Sequence, residues 1–285
     1  MRRRPVTVYT NRHFGWAEFV RSHALSGQPS FCTDKSITLI IHTPPFPSNV
    51  GASYAALVSG AYDTYWRQIF ALLQARENQG YPPVILSIGW EMNGEFMYWG
   101  GGRASHAYAN PAQFMAGYRR IVSQVRVTYP GVQAAWVINA HATPAATGTT
   151  DAFAFYPGDD VATYIGTDDY DHYPSAPTRA AFDARADVNG GMYWLANHAL
   201  ARGKQIIVPE WGVARTSGHG GSDNPTYIQC MWDTFSAWHA EDLLKGKFYF
   251  ADPIDGSNVD SDLMSGNPNS RARYVALWSS NPRPS

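Results

Sequence analysis

Two glutamates, Glu91 and Glu210, are the residues of this chain best placed to do chemistry. Each ends a short apolar run that predicts a buried strand, Val84–Trp90 in the first case and Gln205–Glu210 in the second. An aromatic residue and a turn-forming glycine lie close to both. The carboxyl end of such a strand is where an α/β barrel presents an acid to a bound substrate.

The spacing of the two carboxylates fits opposite sides of one barrel mouth. If Val84–Trp90 is the fourth strand, Gln205–Glu210 is the seventh, and three strand-helix pairs need about 94 residues. The chain provides 119, which leaves room for modest loop insertions. Two carboxylates flanking a glycosidic bond can hydrolyse it, one as the proton donor and the other as a nucleophile or stabilising anion. The alternative is that both are solvated strand-end residues.

Apolar strand patterns alternate with helical patterns along the chain, which predicts a parallel sheet. We therefore expect one α/β domain over residues 1–285, folded as a (β/α)8 TIM barrel. Asn-Pro pairs predict helix starts at Asn110 and Asn224, and a last helix is expected over about Ser270–Trp278. The predicted strands are Val6–Thr10, Ile37–His42, Val84–Trp90, Ala134–Ala140, Ala162–Asp168, Gln205–Glu210 and Lys247–Ala251.

A closed barrel needs eight strands, and this count has seven. Residues 21–35 are polar and hold no convincing strand pattern, whereas the chain begins almost directly with the strand at Val6. We therefore expect that the first strand-helix pair, about 30 residues long, lies upstream of Met1 and is missing from this chain.

The composition favours a neutral partner. The net charge of -1 provides no basic surface for nucleic acid, and no apolar run approaches the length of a membrane span. Ten Trp, 17 Tyr and 13 Phe are more aromatic residues than a core of this size requires, so some are expected to face sugar rings, with ordinary packing as the alternative for each. Cys32 and Cys230 are too far apart in sequence to describe a disulfide framework or a metal-ligand pair.

These features lead us to expect a monomer that binds a polysaccharide or oligosaccharide, with no nucleic-acid partner, no membrane contact and no cofactor. Met1-Arg2-Arg3-Arg4 looks like the start of an export signal, but the apolar stretch after it is too short. We expect a secreted protein whose export signal is absent from this chain.

Three segments of the chain resemble those of a known family. They are Gly89–Gly100, in which Glu-Met-Asn-Gly leads into an aromatic-rich stretch, Tyr156–Asp171, and Val208–Gly212. In this order they are similar to the acid/base segment, the sixth-strand region and the nucleophile segment of glycoside hydrolase family 26. The resemblance extends from Pro5 to about Trp278.

The resemblance implies a retaining (β/α)8 glycosidase, in most members an endo-β-1,4-mannanase and in others an enzyme that cuts mixed-linkage β-glucan or β-1,3-xylan. It implies Glu91 as the acid/base and Glu210 as the nucleophile of a double displacement. By the same resemblance, Tyr170 hydrogen-bonds the nucleophile, Trp99 is a sugar platform, and His42 contacts the sugar on the nonreducing side. The other expected substrate-binding residues are Trp90, Asn93, Asn139 and Trp211.

Two positions depart from the family pattern. Trp90 stands where family mannanases commonly have a histidine, which removes a polar contact near the substrate. After the last strand, Phe250-Ala251-Asp252-Pro253 offers an acid where an aromatic residue is usual. The glycosidase interpretation stands, while the sugar specificity stays open among β-mannan, β-glucan and β-1,3-xylan.

Several residues offer alternatives to these assignments. Glu95 is a second candidate for the proton donor, but it follows the Asn-Gly turn and fits a loop carboxylate better. Asn139 and His141 either line the site or cap the strand. His219 lies in a glycine-rich segment that we expect to be flexible, where it either covers the cleft or is solvated.

A metal-dependent barrel hydrolase is a second possible function. Its candidate ligands are Asp168, Asp169, Asp171 and His172. The chain has no His-x-His triplet, which such enzymes usually carry at an early strand end, so we expect no metal. A third possibility, from another class, is a noncatalytic carbohydrate-binding barrel.

Overall fold

The computed structural model describes residues 4–9, 15–25, 30–48, 51–94, 96–100, 111–140, 151–216, 218–256 and 258–280. The chain forms two compact units. The first comprises Met1–Asn139 and Thr143–Ile165, and the second comprises Ala140–Ala142 and Gly166–Ser285. The first unit carries Glu91 and the second carries Glu210. The expectation of one domain over the whole chain stays a prediction.

The described part of the first unit alternates strands with helices. Its strands are β1 (Arg4–Tyr9), β2 (Ile37–Thr43), β3 (Ile85–Ile88) and β4 (Gln133–Asn139), and its helices are α1 (Trp16–Ser22), α2 (Tyr54–Ser59), α3 (Asp63–Asn78) and α4 (Pro111–Thr128). Neighbouring strands pair in chain order and in parallel, with Val6 opposite Leu39 and Ile41 opposite Leu86. Parallel pairing in this order brings the carboxyl ends of β2, β3 and β4 to the same edge.

The second unit continues the alternation. Its strands are β5 (Tyr164–Tyr170), whose first two residues belong to the first unit, β6 (Gln205–Gly212) and β7 (Leu244–Tyr249). Its helices are α5 (Arg179–Asp187), α6 (Met192–Leu200), α7 (Pro225–Ala240) and α8 (Pro268–Ser280). The strands are neighbours in the order β5, β6, β7, and β6 runs parallel to β7 with Ile206 opposite Leu244.

The long helices bury one apolar face each. On α3 the buried side chains recur at helical spacing, and each contributes roughly 1.5–3 kcal/mol relative to exposure. They are Trp66, Ile69, Phe70 and Leu73. The buried face of α7 comprises Tyr227, Ile228, Met231, Trp232, Phe235 and Trp238. None of the described helices has the length and apolarity that crossing a membrane requires.

All seven predicted strands are present, with shifted ends. β3 ends at Ile88, two residues before the predicted end, because the left-handed φ of Gly89 breaks the extended backbone. β7 begins at Leu244, three residues before the predicted start at Lys247. Lys245 and Gly246 are uncommon in strands and interrupt the apolar pattern from which the strand was predicted.

The predicted helix ends are also largely confirmed. The Asn224 side chain caps α7 by accepting hydrogen bonds from the backbone N–H groups of Thr226 and Tyr227. The predicted cap at Asn110 lies outside the described residues, and α4 begins at the next residue, Pro111. The expected last helix is α8.

Candidate active site

Glu91 follows β3 through a turn with left-handed backbone. The φ angle is 58° at Gly89 and 52° at Glu91. Such a φ costs a residue with a side chain about 1–3 kcal/mol and persists where its surroundings impose it. Here the Glu91 N–H donates to the Val137 carbonyl at 2.8 Å, and the Gly94 N–H donates to the Glu91 carbonyl at 2.8 Å. These bonds fix Glu91 beyond the carboxyl end of the strand.

Asn93 and Asn139 form a clamp on the Glu91 carboxylate. The Asn139 side-chain amide donates to Glu91 Oε1 at 2.7 Å. Asn93 in turn holds the Asn139 backbone, since its side chain donates to the Asn139 carbonyl and accepts from the Asn139 N–H, both at 2.8 Å. Glu91 is only 6% exposed. Asn139 was expected either to line the site or to cap its strand, and its side chain contacts the candidate acid. Asn93 binds the backbone of Asn139.

His42, Trp90 and Trp99 form a closed aromatic stack in the same unit. The rings of His42 and Trp90 stack at 4.7 Å, and those of Trp90 and Trp99 meet at 4.4 Å. The Trp99 indole N–H donates to the Trp90 carbonyl at 2.8 Å. All three side chains are buried, Trp99 among them. Sugar contact by these residues stays a prediction.

Glu210 lies near the end of β6, in the second unit, and is bound by a tyrosine. The Tyr170 hydroxyl donates to Glu210 Oε2 at 2.6 Å. This is a short hydrogen bond of the charge-assisted kind, and both residues are buried. The contact is the one that the family resemblance implies.

Trp211 packs on the helix side of β6. Its buried ring lies 5.3 Å from Phe235 of α7 and 5.7 Å from Trp278 of α8. We therefore correct the expectation that Trp211 binds substrate: it anchors the strand that carries Glu210.

A buried ion pair supports the strand end that carries Tyr170. Asp169 Oδ1 accepts from Arg185 Nη2 at 3.1 Å and from the Tyr227 hydroxyl at 3.0 Å. Arg185 also donates to the Tyr170 carbonyl at 3.2 Å. Burial raises the pKa of Asp169, while the Arg185 charge and the Tyr227 hydroxyl act in the opposite direction. Sequence reasoning missed Arg185 because an arginine on a helix is usually exposed.

Asp171 is held in a similar way. Its carboxylate accepts from the Ala176 N–H and from the Asn224 side chain, each at 2.7 Å. A side chain on Gly221 would collide with Asp171 Oδ2, so the glycine is required there. Asp169 and Asp171, two of the four residues considered as metal ligands, therefore have structural roles.

We expect that Arg185→Met lowers the free energy of unfolding by about 3–5 kcal/mol at neutral pH, because it leaves the buried Asp169 carboxylate without its charge partner. Without Arg185 the pKa of Asp169 rises further above its ordinary value. The loss should therefore shrink in acid, where Asp169 is protonated, and grow as the pH rises through that raised pKa. Urea denaturation at pH 5 and pH 7.5 measures both effects.

Arg179 provides the matched control for this variant. It lies on the same helix and pairs with Asp183 at 2.9 Å, but its side chain is 50% exposed. Arg179→Met should cost less than about 1 kcal/mol. Equal losses in the two variants, or a loss for Arg185→Met that does not change with pH, would contradict the role assigned to the buried pair.

The glycine-rich segment around His219 is tied to the end of β5. His172 forms an antiparallel bridge with Gly220, and the Tyr173 N–H donates to the His219 carbonyl at 3.3 Å. The His219 ring stacks on the Tyr173 ring at 4.4 Å. These contacts hold the described residues of the segment against the end of β5, and its flexibility stays a prediction. Two residues considered earlier, Glu95 and His141, lie outside the described residues.

Comparison with known sequences identifies a matching family model and a similar protein. The family model described as Glycosyl hydrolase family 26 matches residues 52–211, more than half of the chain. A relative, the mannan endo-1,4-beta-mannosidase of Bifidobacterium adolescentis, is 29% identical over 153 residues. That match covers 52% of this chain and 14% of the relative, so the chain corresponds to a small part of the relative's length.

The solved structures that resemble the chain include two endo-beta-1,4-mannanases. The catalytic domain of the Bacillus sp. JAMB-750 GH26 endo-beta-1,4-mannanase has a TM-score of 0.63 and 15% identity, over 93% of this chain and 69% of that one. A modular endo-beta-1,4-mannanase from Cellulomonas fimi has a TM-score of 0.62 and 16% identity, over 93% of this chain and 58% of that one. These likenesses confirm the predicted fold class, a (β/α)8 TIM barrel, of which the described residues form seven strands.

Proposed function

Because the chain belongs to glycosyl hydrolase family 26, we propose that it cleaves a β-linked polysaccharide internally, by a double displacement that retains the anomeric configuration. Glu91 is the acid and base, and Glu210 is the nucleophile. The observation that carries this proposal is the 2.6 Å hydrogen bond from the Tyr170 hydroxyl to Glu210 Oε2. It stabilises the ionised carboxylate through Oε2, and we assign Oε1 as the attacking atom.

In the first step, Glu91 gives its proton to the glycosidic oxygen while the bond from that oxygen to the anomeric carbon breaks. Glu210 Oε1 forms a new bond to the same carbon, which produces a glycosyl-enzyme and releases the leaving chain with a new hydroxyl. The Asn139 amide, bound to Glu91 Oε1 at 2.7 Å, orients the acid for this transfer.

In the second step, a water molecule replaces the leaving chain. The Glu91 carboxylate takes a proton from the water as its oxygen attacks the anomeric carbon, and Glu210 leaves as a carboxylate. Glu91 ends the cycle protonated. The left-handed turn and the Asn93–Asn139 clamp keep Glu91 in one place for both proton transfers.

The substrate that we propose first is β-1,4-mannan. The similar proteins described above carry the names mannan endo-1,4-beta-mannosidase and endo-beta-1,4-mannanase. Trp90, buried between His42 and Trp99, occupies the position where a histidine is common in family mannanases. Mixed-linkage β-glucan and β-1,3-xylan are therefore the alternatives on the same site.

A reducing-sugar screen of the purified protein tests this proposal. The substrates are mannan, galactomannan, mixed-linkage β-glucan, β-1,3-xylan and cellulose, with Glu210→Ala as the inactive control. We expect activity on mannan and galactomannan, and a first-formed product with retained configuration by proton NMR. No hydrolysis of any substrate, or an inverted first product, would overturn the proposal.

Tyr170→Phe is expected to lower kcat/KM by about 10- to 100-fold, the worth of a hydrogen bond to a charged group. Loss of the hydroxyl destabilises the ionised form of Glu210, so the carboxylate protonates at a higher pH and the acidic limb of the pH profile moves upward. The measurement is kcat/KM on mannan between pH 4 and pH 9.

Tyr249→Phe is the control for this variant. The Tyr249 hydroxyl donates to the Ser261 carbonyl at 2.7 Å in the same unit, so its removal also deletes a hydrogen bond, but one that does not reach Glu210. Its pH profile should keep the parental acidic limb. If Tyr170→Phe also keeps the parental acidic limb, the Tyr170 hydroxyl does not stabilise the ionised form of Glu210.

We further propose that the protein acts outside the cell, since a polysaccharide is too large to be taken up intact. We also propose that it acts as a monomer. Fractionation of the producing culture and size-exclusion chromatography at micromolar concentration test the two statements. Activity confined to the cell interior, or an elution volume of a dimer, would overturn the corresponding one.

A further inference from the structure

We propose that Tyr173, supported by His219, is a platform for a second sugar unit of the substrate, next to the sugar that reacts at Glu210. The inference rests on the proposed function and adds a binding position to it. It concerns the loops that follow β5 and β6, where Tyr173 and His219 lie within the second unit.

Tyr173 is an aromatic side chain open to solvent. It is 53% exposed, whereas Tyr170, three residues earlier, is 6% exposed. One side of its ring rests on His219, with the ring centroids 4.4 Å apart and the planes at 23°. The pair thus presents a supported ring rather than a freely rotating one.

A continuous path of ring contacts leads from the nucleophile to this pair. Tyr170, which binds Glu210, lies 5.7 Å from the His172 ring, and His172 lies 4.8 Å from the Tyr173 ring. These contacts place Tyr173 two ring contacts away from the residue that binds Glu210, within the same unit.

The platform is held rigidly. His172 shares a 3.2 Å hydrogen bond with Thr216 and bridges to Gly220, where any side chain would collide with the Ala214 carbonyl. Tyr173 itself has a φ of 49°, a left-handed backbone that a bulky residue adopts only where the surrounding structure imposes it. A ring already fixed in place loses little freedom when a ligand binds.

The chemistry of the pair suits a neutral sugar. A tyrosine ring offers an apolar face for the C–H side of a pyranose, and its hydroxyl offers a hydrogen bond to a sugar hydroxyl. The His219 ring adds nitrogen atoms beside it. A single exposed aromatic residue is ordinary on a protein surface, but here the position beside Tyr170 and the rigid support distinguish it.

The test uses mannohexaose binding by calorimetry, measured on the full chain carrying Glu210→Ala so that the ligand is not consumed. Adding Tyr173→Ala should weaken binding about 3- to 10-fold, and Tyr173→Phe should keep most of the affinity. His219→Ala should give a smaller loss, because the ring remains but its support is gone. In the active protein, Tyr173→Ala should raise KM for galactomannan and leave kcat/KM for an activated aryl mannoside, which carries only the reacting sugar, unchanged.

Leu200→Ala is the matched control, since Leu200 is 52% exposed at the end of α6 and has no role in the site. Parental affinity and KM in Tyr173→Ala, absence of mannohexaose binding in the parent, or an equal loss on the aryl substrate would each overturn the platform. If the parent hydrolyses no glycan while Tyr173→Ala still weakens mannohexaose binding, the proposed function fails and the platform stands.

Discussion

Replacing Glu210 with alanine is expected to lower kcat on mannan by at least about 10⁴-fold, because the change removes the atom that forms the covalent intermediate. The structure holds this carboxylate in a defined position. Tyr170 binds Oε2 at 2.6 Å, and Trp211, the next residue, anchors the strand among the helices. Glu210→Gln should be almost as inactive, since the amide keeps the shape of the side chain but is a poor nucleophile.

Chemical rescue separates a lost nucleophile from a lost fold. Azide is small enough to enter the space left by the Glu210→Ala change and can attack the anomeric carbon of a substrate with a good leaving group. We expect a glycosyl azide of inverted configuration, detected by mass spectrometry and NMR. Glu241→Ala, which removes an exposed carboxylate at the end of α7, should keep parental activity. Near-parental hydrolysis by Glu210→Ala would remove Glu210 from the mechanism.

Glu91→Ala is expected to lower kcat/KM on mannan by about 10²- to 10⁴-fold, the usual contribution of a general acid. The loss should nearly vanish for glycosyl-enzyme formation from a dinitrophenyl glycoside, because that leaving group needs no proton. Hydrolysis of the intermediate still needs Glu91 as a base, so it should become rate-limiting. A pre-steady-state burst of dinitrophenol measures this change.

The pH profile gives an independent test of Glu91. The parent should lose kcat/KM at high pH as its acid deprotonates, and Glu91→Ala should lack that basic limb. Asn139→Ala removes the amide that binds Glu91 Oε1. The effect of this variant should lie between those of the parent and of Glu91→Ala. An unchanged basic limb in Glu91→Ala, or equal losses on mannan and on the dinitrophenyl glycoside, would contradict the assignment.

The strands and the two glutamates could be predicted because their signals are local. A β-branched run such as Val84–Ile88 predicts a strand wherever it packs, and the residue after it is delivered to the strand end whatever the rest of the chain does. The same logic placed Glu210 after Ile206–Val208. The predicted end of β3 was wrong by two residues, because the backbone turns at Gly89, whose φ is 58°, and the apolar pattern does not indicate where a strand turns.

The contacts that hold the site could not be predicted, because they join residues far apart in sequence. Asn93 and Asn139 are 46 positions apart, and Tyr227 reaches Asp169 over 58. Nothing in the helical pattern around Arg185 indicates burial beside a carboxylate. Trp211 was assigned to the substrate because it neighbours Glu210, whereas its ring packs against Phe235 and Trp278, which lie far away in sequence.

The left-handed backbone at Glu91 has a consequence for the stability of the fold. Glycine would adopt a φ of 52° without strain, so the fold would gain stability by giving up its glutamate. The surroundings of Glu91 therefore hold it in this conformation at a cost in stability, and such costs are concentrated at residues that are placed for function.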